Sequence, residues 1–235
     1  MILLGFDTAT AATAAAVLRD DGQAFERYRE PAQGGRPRHA TDVLVLAEEA
    51  LAAAGASWSH VDRVAVGVGP GSFTGLRIGI ACARALAQAR GYGLVGVSTL
   101  QTLAAAAQAS LAQFPDGREG VSPVLAVIEA GRAEVFAAAW REETLVLQAG
   151  AFSEDRLLEA VGALGGTPLA VGNGSVRLRD TLEGAGVAVA SQDSPLHRVS
   201  AVQLCRLASS APTIERDLLE PDYHREPDAR PRTNR

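Results

Sequence analysis

The densest run of chemistry-bearing residues in this 235-residue chain is Gly67-Val68-Gly69-Pro70-Gly71-Ser72-Phe73-Thr74-Gly75-Leu76-Arg77-Ile78-Gly79. An apolar stretch feeds a glycine loop that opens a helix. Glycines let a backbone come close to another group, and a helix N-terminus presents unpaired N–H groups to an anion. Phosphate or carboxylate binding is one use of such a loop and tight helix–strand packing is another; the residues alone leave both open. Two nucleotide-binding patterns fail. The Walker pattern needs a lysine after its glycine, and Leu76 follows Gly75. The Rossmann pattern needs G-x-G-x-x-G, and here the last glycine comes one residue late. A second candidate is Asp7-Thr8-Ala9-Thr10, where a carboxylate at a strand end could hold hydrated magnesium while hydroxyls approach phosphates. A turn aspartate capping backbone N–H groups would use the same residues. The positions expected to contact a nucleotide or anion are Asp7, Thr8, Thr10, Gly69, Gly71, Ser72, Thr74, Gly75 and Arg77.

Other chemistries find less support. His39, His60, His197 and His224 form neither H-x-x-x-H nor H-E-x-x-H, so no metal site is expected. Ser72 does not sit in G-x-S-x-G. Cys82 and Cys205 read as two buried free thiols, too few for a disulfide framework. All 22 basic residues are arginine. The missing lysine excludes a Walker lysine, a Schiff-base lysine and a kinase strand lysine. A net charge of -5 argues against a dedicated nucleic-acid binder. No catalytic residue is assigned.

The elements that must position these residues read as a duplicated order. Strands over Ile2–Thr8, Ala12–Arg19 and Gln23–Arg29 precede a helix from His39 to Ala54. A strand over Arg63–Val68, a helix over Phe73–Arg90, a strand over Leu94–Val97 and a helix to Ala112 follow. After a polar linker, 114–122, the order resumes with strands over Val124–Ile128, Glu134–Trp140 and Thr144–Ala149. Helix Glu154–Leu164, strand Leu169–Val171, helix Val176–Leu182, strand Val187–Ala190 and helix Val199–Ser209 complete it. The fold class is α/β, with two related subdomains, each a mixed sheet covered by helices. The subdomains are expected at 1–112 and 122–219. A flexible tail, 220–235, holds three prolines and four arginines. With neither a basic signal-peptide start nor a membrane-length apolar run, the chain reads as cytoplasmic.

Two helices carry further information. On the first, Val43, Leu44, Ala47, Ala50, Leu51 and Ala54 share a face. On the helix after the glycine loop, Leu76, Ile80, Ala83, Leu86 and Ala87 form one face, and Ile78, Ala81, Cys82, Ala85 and Ala89 form a second, nearly opposite. Only Arg77, Arg84 and Gln88 make a polar stripe. Such a helix is expected to be covered on both sides, one by its own sheet. The other side meets a partner subunit or the interior of the same domain.

Three segments together carry a family resemblance: Ile2–Thr10 with its D-T-A-T, the G-x-G-P-G-S-F-T-G-L-R-I-G run from Gly67 to Gly79, and Gly96-Val97-Ser98-Thr99-Leu100. The chain resembles the TsaB family of bacterial tRNA threonylcarbamoyladenosine biosynthesis proteins, also called YeaZ-like or glycoprotease-like. Ile128–Phe136 is similar to the family's I-D-A-R-x-G-E-V-Y, with Glu129, Gly131 and Phe136 departing from it. Pro221-Asp222-Tyr223 is similar to its P-x-Y, with His224-Arg225 in place of Leu-Arg. The resemblance implies an actin/Hsp70/sugar-kinase-like (ASKHA) fold. It implies a non-catalytic scaffold, partner of the catalytic subunit TsaD and the ATPase TsaE, lacking the metal-binding histidine pair of TsaD. That complex transfers threonylcarbamoyl to N6 of adenosine 37 in tRNAs reading ANN codons. The implied interface lies on the helices at His39–Ala54 and Phe73–Arg90, through His39, Val43, Leu46, Phe73, Ile78, Cys82, Ala85 and Ala89. A homodimer in isolation, tRNA contact only through the complex, no tightly held cofactor, and ATP/ADP with Mg in the complex complete the expectation. The alternative is an independent enzyme, peptidase-like or an ATP-dependent phosphotransferase. For the latter, the loop Gly172–Ser175 lacks an acidic residue.

Overall fold

A computed structural model describes residues 1–32, 34–112, 122–131 and 133–224. The first five strands are β1 (Ile2–Asp7), β2 (Thr13–Arg19), β3 (Ala24–Arg29), β4 (Arg63–Gly69) and β5 (Gly93–Ser98), in the order β3-β2-β1-β4-β5. The second five are β6 (Val124–Gly131), β7 (Glu134–Arg141), β8 (Thr144–Phe152), β9 (Leu169–Val171) and β10 (Ala188–Val189). Their order, β8-β7-β6-β9-β10, repeats the same arrangement. In both sheets the first three strands are joined antiparallel and the last two are added parallel. Hairpins explain the first half of each sheet. Crossover helices are needed for the second.

Helices α1 (His39–Ala53) and α2 (Phe73–Arg90) lie side by side on one face of the first sheet. Val43, Leu46, Ala47, Ala50 and Leu51 of α1 recur at helical spacing and enter a core with Leu4, Phe6, Val17, Val64 and Val66. Ile80 and Ala83 of α2 enter the same core. Asp42 in the first turn of α1 is buried and pairs with Arg29 at 2.9 Å, which ties the helix to β3. The expected inward face was misplaced at one residue. Leu44 is turned outward, because the buried stripe runs through Leu46, and Leu44 falls 100° round from Val43.

Two of the remaining helices cross between sheets. Helix α3 (Thr99–Leu111) follows β5 but packs on the second sheet, through Leu100, Leu103 and Ala107 against Val124, Ala126 and Ile128. Helix α7 (Ala201–Ser210), near the other end, returns to the first sheet, where Leu204, Cys205 and Ala208 cover Leu3, Ala14 and Ala65. The two sheets are thereby joined by packing as well as by sequence. Helix α4 (Glu154–Gly162) covers the second sheet through Leu157 and Val161. The single helix expected at Val176–Leu182 is two short ones, α5 (Asn173–Arg177) and α6 (Arg179–Gly184), because Leu178 leaves helical geometry at φ -99 and ψ 20. Except for Ser122, the expected linker lies outside the described residues, as does the tail beyond His224.

Candidate functional site

The glycine loop closes on the protein's own chain. Helix α2 sits over the β1–β2 turn, and its glycines are the points of approach. A Cβ at Gly67 would overlap the Asp7 carboxylate, one at Gly71 the Ala9 carbonyl, one at Gly75 the Thr8 carbonyl, and one at Gly79 the Thr8 hydroxyl. The four-residue spacing puts Gly71, Gly75 and Gly79 in one line along the loop and helix. Hydrogen bonds complete the joint. Ser72 N–H donates to the Ala9 carbonyl at 2.7 Å, and Thr8 Oγ1 donates to the Gly75 carbonyl at 2.8 Å. Ser72 Oγ caps α2 by accepting from Gly75 N–H at 3.3 Å. The second sheet does likewise, since Cβ atoms at Gly172 and Gly174 would strike Val127 and Ile128 of β6.

Asp7 is fully enclosed at this joint. Its Oδ1 accepts from Ala9 N–H at 2.8 Å, and its Oδ2 accepts from Thr99 Oγ1 at 2.9 Å. Burial pushes its carboxyl up from the usual range to about 6, against the opposing pull of those two hydrogen bonds. The carboxylate therefore links the β1–β2 turn to the start of α3. Of the nine residues expected to meet an anion, Asp7, Thr8, Gly69 and Gly75 are buried among the chain's own atoms. Thr10 and Gly71 are half-buried, while Ser72, Thr74 and Arg77 are exposed. The close approach that Gly71 and Gly75 permit is taken by Ala9 and Thr8, while Gly69 faces Leu76 and Asp222 and Arg77 faces Phe73 and Tyr223. Thr10 borders an open cleft.

That cleft, of about 400 Å³, lies between the β1–β2 turn and the 192–198 loop. Tyr28, Asn173, His197 and Arg198 line it. His197 is held on both sides, with Nδ1 3.1 Å from the Gly172 carbonyl and Nε2 3.0 Å from the Ser191 carbonyl. Arg198 reaches Glu30 at 3.6 Å. Sequence reasoning missed this lining, because Tyr28 and Arg198 are brought together only by the fold. Among the described residues no three His, Cys, Asp or Glu side chains are placed to hold a metal ion.

The residues expected at a partner interface divide cleanly. His39, Val43 and Leu46 point inward, 4%, 0% and 1% exposed, and cannot meet a partner while the protein is folded. Val43 and Leu46 are core. His39 Nδ1 pairs with Thr13 Oγ1 at 2.8 Å, and its Nε2 is buried with no partner among the described residues. Burial lowers the pKa of this imidazole. The α2 residues are different. Phe73, Ala85 and Ala89 are exposed, and Ile78 and Cys82 half-buried. Beside them Leu44 and Val45 of α1 are each 42% exposed. A helical wheel anchored on Leu46 instead of Leu44 would have found the outward pair. The open surface of these two packed helices thus includes the apolar residues Leu44 and Val45 on α1 and Phe73, Ala81 and Ala85 on α2, with Glu48 and Glu49 of α1 also exposed.

A family model described as TsaD, tRNA N6-adenosine threonylcarbamoyltransferase, matches residues 32–158, more than half of the chain. The chain belongs to this family, on its TsaB/YeaZ-like branch. It is similar to the tRNA threonylcarbamoyladenosine biosynthesis protein TsaB of Escherichia coli, 35% identical over 144 residues, which is 61% of this chain and 56% of that protein. The chain spans about half the length of the curated relatives it matches. Solved structures agree over almost the whole chain. YeaZ from Pseudomonas aeruginosa superposes with TM-score 0.74 at 27% identity, covering 94% of this chain and all of that one. A second Pseudomonas aeruginosa structure, titled as similar to peptidase YEAZ, gives 0.76 at 28%, covering 95% and 99%. The fold of this TsaB/YeaZ-like chain is accordingly two mixed sheets, each covered by helices. No helix of this TsaB/YeaZ-like chain, among the described residues, is long and apolar enough to cross a membrane.

Proposed function

We propose that this TsaB/YeaZ-like chain is a non-catalytic subunit of the cytoplasmic machinery that makes threonylcarbamoyladenosine in tRNA, and that it meets a TsaD-type transferase through the outer faces of α1 and α2. The observation that carries the reading is the apolar two-helix strip, with Leu44 and Val45 on α1 and Phe73, Ile78, Ala81, Cys82 and Ala85 on α2. Exposed apolar surface of this kind marks a protein contact. The names of the similar proteins supply the pathway. The glycine loop filled by its own turn supports a scaffold role for this chain, with any ATP/ADP and Mg acting in the complex. TsaE would join the same complex, and tRNA would be met through it, at adenosine 37 of the tRNAs reading ANN codons. In isolation the strip would be covered by a second copy, since an isologous dimer hides an identical patch on both subunits.

The test is reconstitution. Purified transferase and TsaE, supplied with threonylcarbamoyl-adenylate and tRNA, should form the modified nucleoside efficiently only when this chain is added. Full activity without it removes the proposed role. Transfer or peptide cleavage by this chain alone would favour an independent enzyme.

A further inference from the structure

The last described residues run back along α2. Ile214 bridges to Leu94 of β5, Leu219 is buried in the core beneath α1 and α2, and Asp222 N–H donates to the Val68 carbonyl at 2.8 Å. On the way, Asp217 takes Arg84 at 3.3 Å, and Tyr223 takes Arg77. The strap therefore covers the arginine stripe of α2 and leaves its apolar side open. The two tethers differ in kind. Arg84 is neutralised by a carboxylate. Arg77 has no carboxylate partner among the described residues. Its Nε donates to the Tyr223 hydroxyl at 3.1 Å, and its guanidinium lies 3.8 Å from the centre of the Phe73 ring. The Phe73 and Tyr223 rings are themselves 5.4 Å apart. Phe73 is 39% and Tyr223 43% exposed, so this cluster stands at the surface.

An arginine fixed this way keeps its charge and has already lost much of its rotamer freedom. One nitrogen is spent on the phenol, and the terminal nitrogens remain for a planar acceptor. Arginine and tyrosine at the edge of an apolar patch are also the residue types that dominate binding energy in protein contacts. We propose that Arg77, held by Phe73 and Tyr223, is the anchor that receives a carboxylate side chain of the partner transferase. The inference rests on the partner reading above and assigns it a contact. A protein carboxylate is favoured over an RNA phosphate for two reasons. Arg84, the other arginine of the stripe, is already paired with Asp217, and the whole chain carries a net charge of -5, which repels nucleic acid. Tyr223 acts here as a positioning residue, through Arg77.

The experiment is titration of the full chain with the transferase subunit, by calorimetry at two salt concentrations. Variants are Arg77→Ala, Arg77→Glu, Arg77→Lys and Tyr223→Phe, each checked for an unchanged melting curve. Arg77→Ala should weaken binding by about tenfold or more, Arg77→Glu by more still, and Arg77→Lys by an intermediate amount. Tyr223→Phe keeps the ring and loses the acceptor, so it should give a smaller loss that disappears in the Arg77→Ala background. The salt dependence of the wild type should flatten in Arg77→Ala. If either alanine or glutamate at 77 fails to fold, the folded lysine and phenylalanine variants carry the comparison. Wild-type affinity in all of them overturns this proposal and leaves the partner reading standing. Retained transferase affinity with lost tRNA binding by the assembled complex overturns it in favour of a phosphate contact. A wild-type chain that does not bind the transferase overturns both.

Discussion

Replacing Asp7 by asparagine should make the protein more stable at neutral pH. Asp7 is buried at the joint between the β1–β2 turn and α3, and burial raises its pKa from 3.8 to about 6. The folded state thus favours the neutral carboxyl, whereas the unfolded chain ionises near the ordinary value. Stability from this group is fully present below about 3.8 and is lost as pH rises through about 6. A shift of that size corresponds to about 3 kcal/mol, withheld from the native state at pH 7.5. Asparagine is isosteric and never ionises. Its carbonyl can keep the Ala9 N–H, and its amide can donate to Thr99 Oγ1, because a hydroxyl accepts as readily as it donates. Urea unfolding of wild type and Asp7→Asn at pH 4 and pH 7.5 isolates the effect as a double difference. The variant should gain stability at pH 7.5 and lie close to wild type at pH 4. A variant less stable than wild type at both values, with no dependence of the difference on pH, is the opposite result. It would mean that the ionised carboxylate is a stabilising acceptor in the fold.

Further predictions separate packing from contact. Gly75→Ala should cost about 1–3 kcal/mol, because its Cβ meets the Thr8 carbonyl, a backbone atom that cannot swing aside; a lowered urea midpoint checks this. On α1, Leu46→Ala should cost about 2–5 kcal/mol in thermal or urea unfolding, while Leu44→Arg should leave stability nearly unchanged and abolish association. On α2, Ala85→Arg and Cys82→Arg should each give a folded monomer by sedimentation. Global unfolding of these variants would place that face in the interior.

The order of strands and helices was legible, because alternation and helical spacing both followed burial. Helix α2 was read to its ends at Phe73 and Arg90; Leu76, Ile80 and Ala83 of the first face are buried, while Ala81, Ala85 and Ala89 of the second are exposed and Cys82 is half-buried against the core. The glycine loop was legible as a place of close approach but not as to what approaches. That depended on the β1–β2 turn, nearly seventy residues earlier, being carried beneath α2 by pairing of β1 with β4. His39, Val43 and Leu46 were misassigned to the interface because a family-level interface names a helix, and only the structure says which of its sides is free. Two features had no local signal at all. The crossing of α3 and α7 between sheets involves helices whose apolar faces could pack on either. The Arg77–Tyr223 tether joins residues 146 apart in sequence.

Light scattering measures directly what the exposed apolar residues of α1 and α2 meet. Wild type and Ala85→Arg are weighed alone and after mixing with the transferase subunit. The wild-type chain should form a dimer alone and exchange into a one-to-one complex with the transferase, while the variant stays monomeric in both conditions. A wild-type chain that remains a monomer and ignores the transferase, or a variant that assembles as well as wild type, would contradict the account.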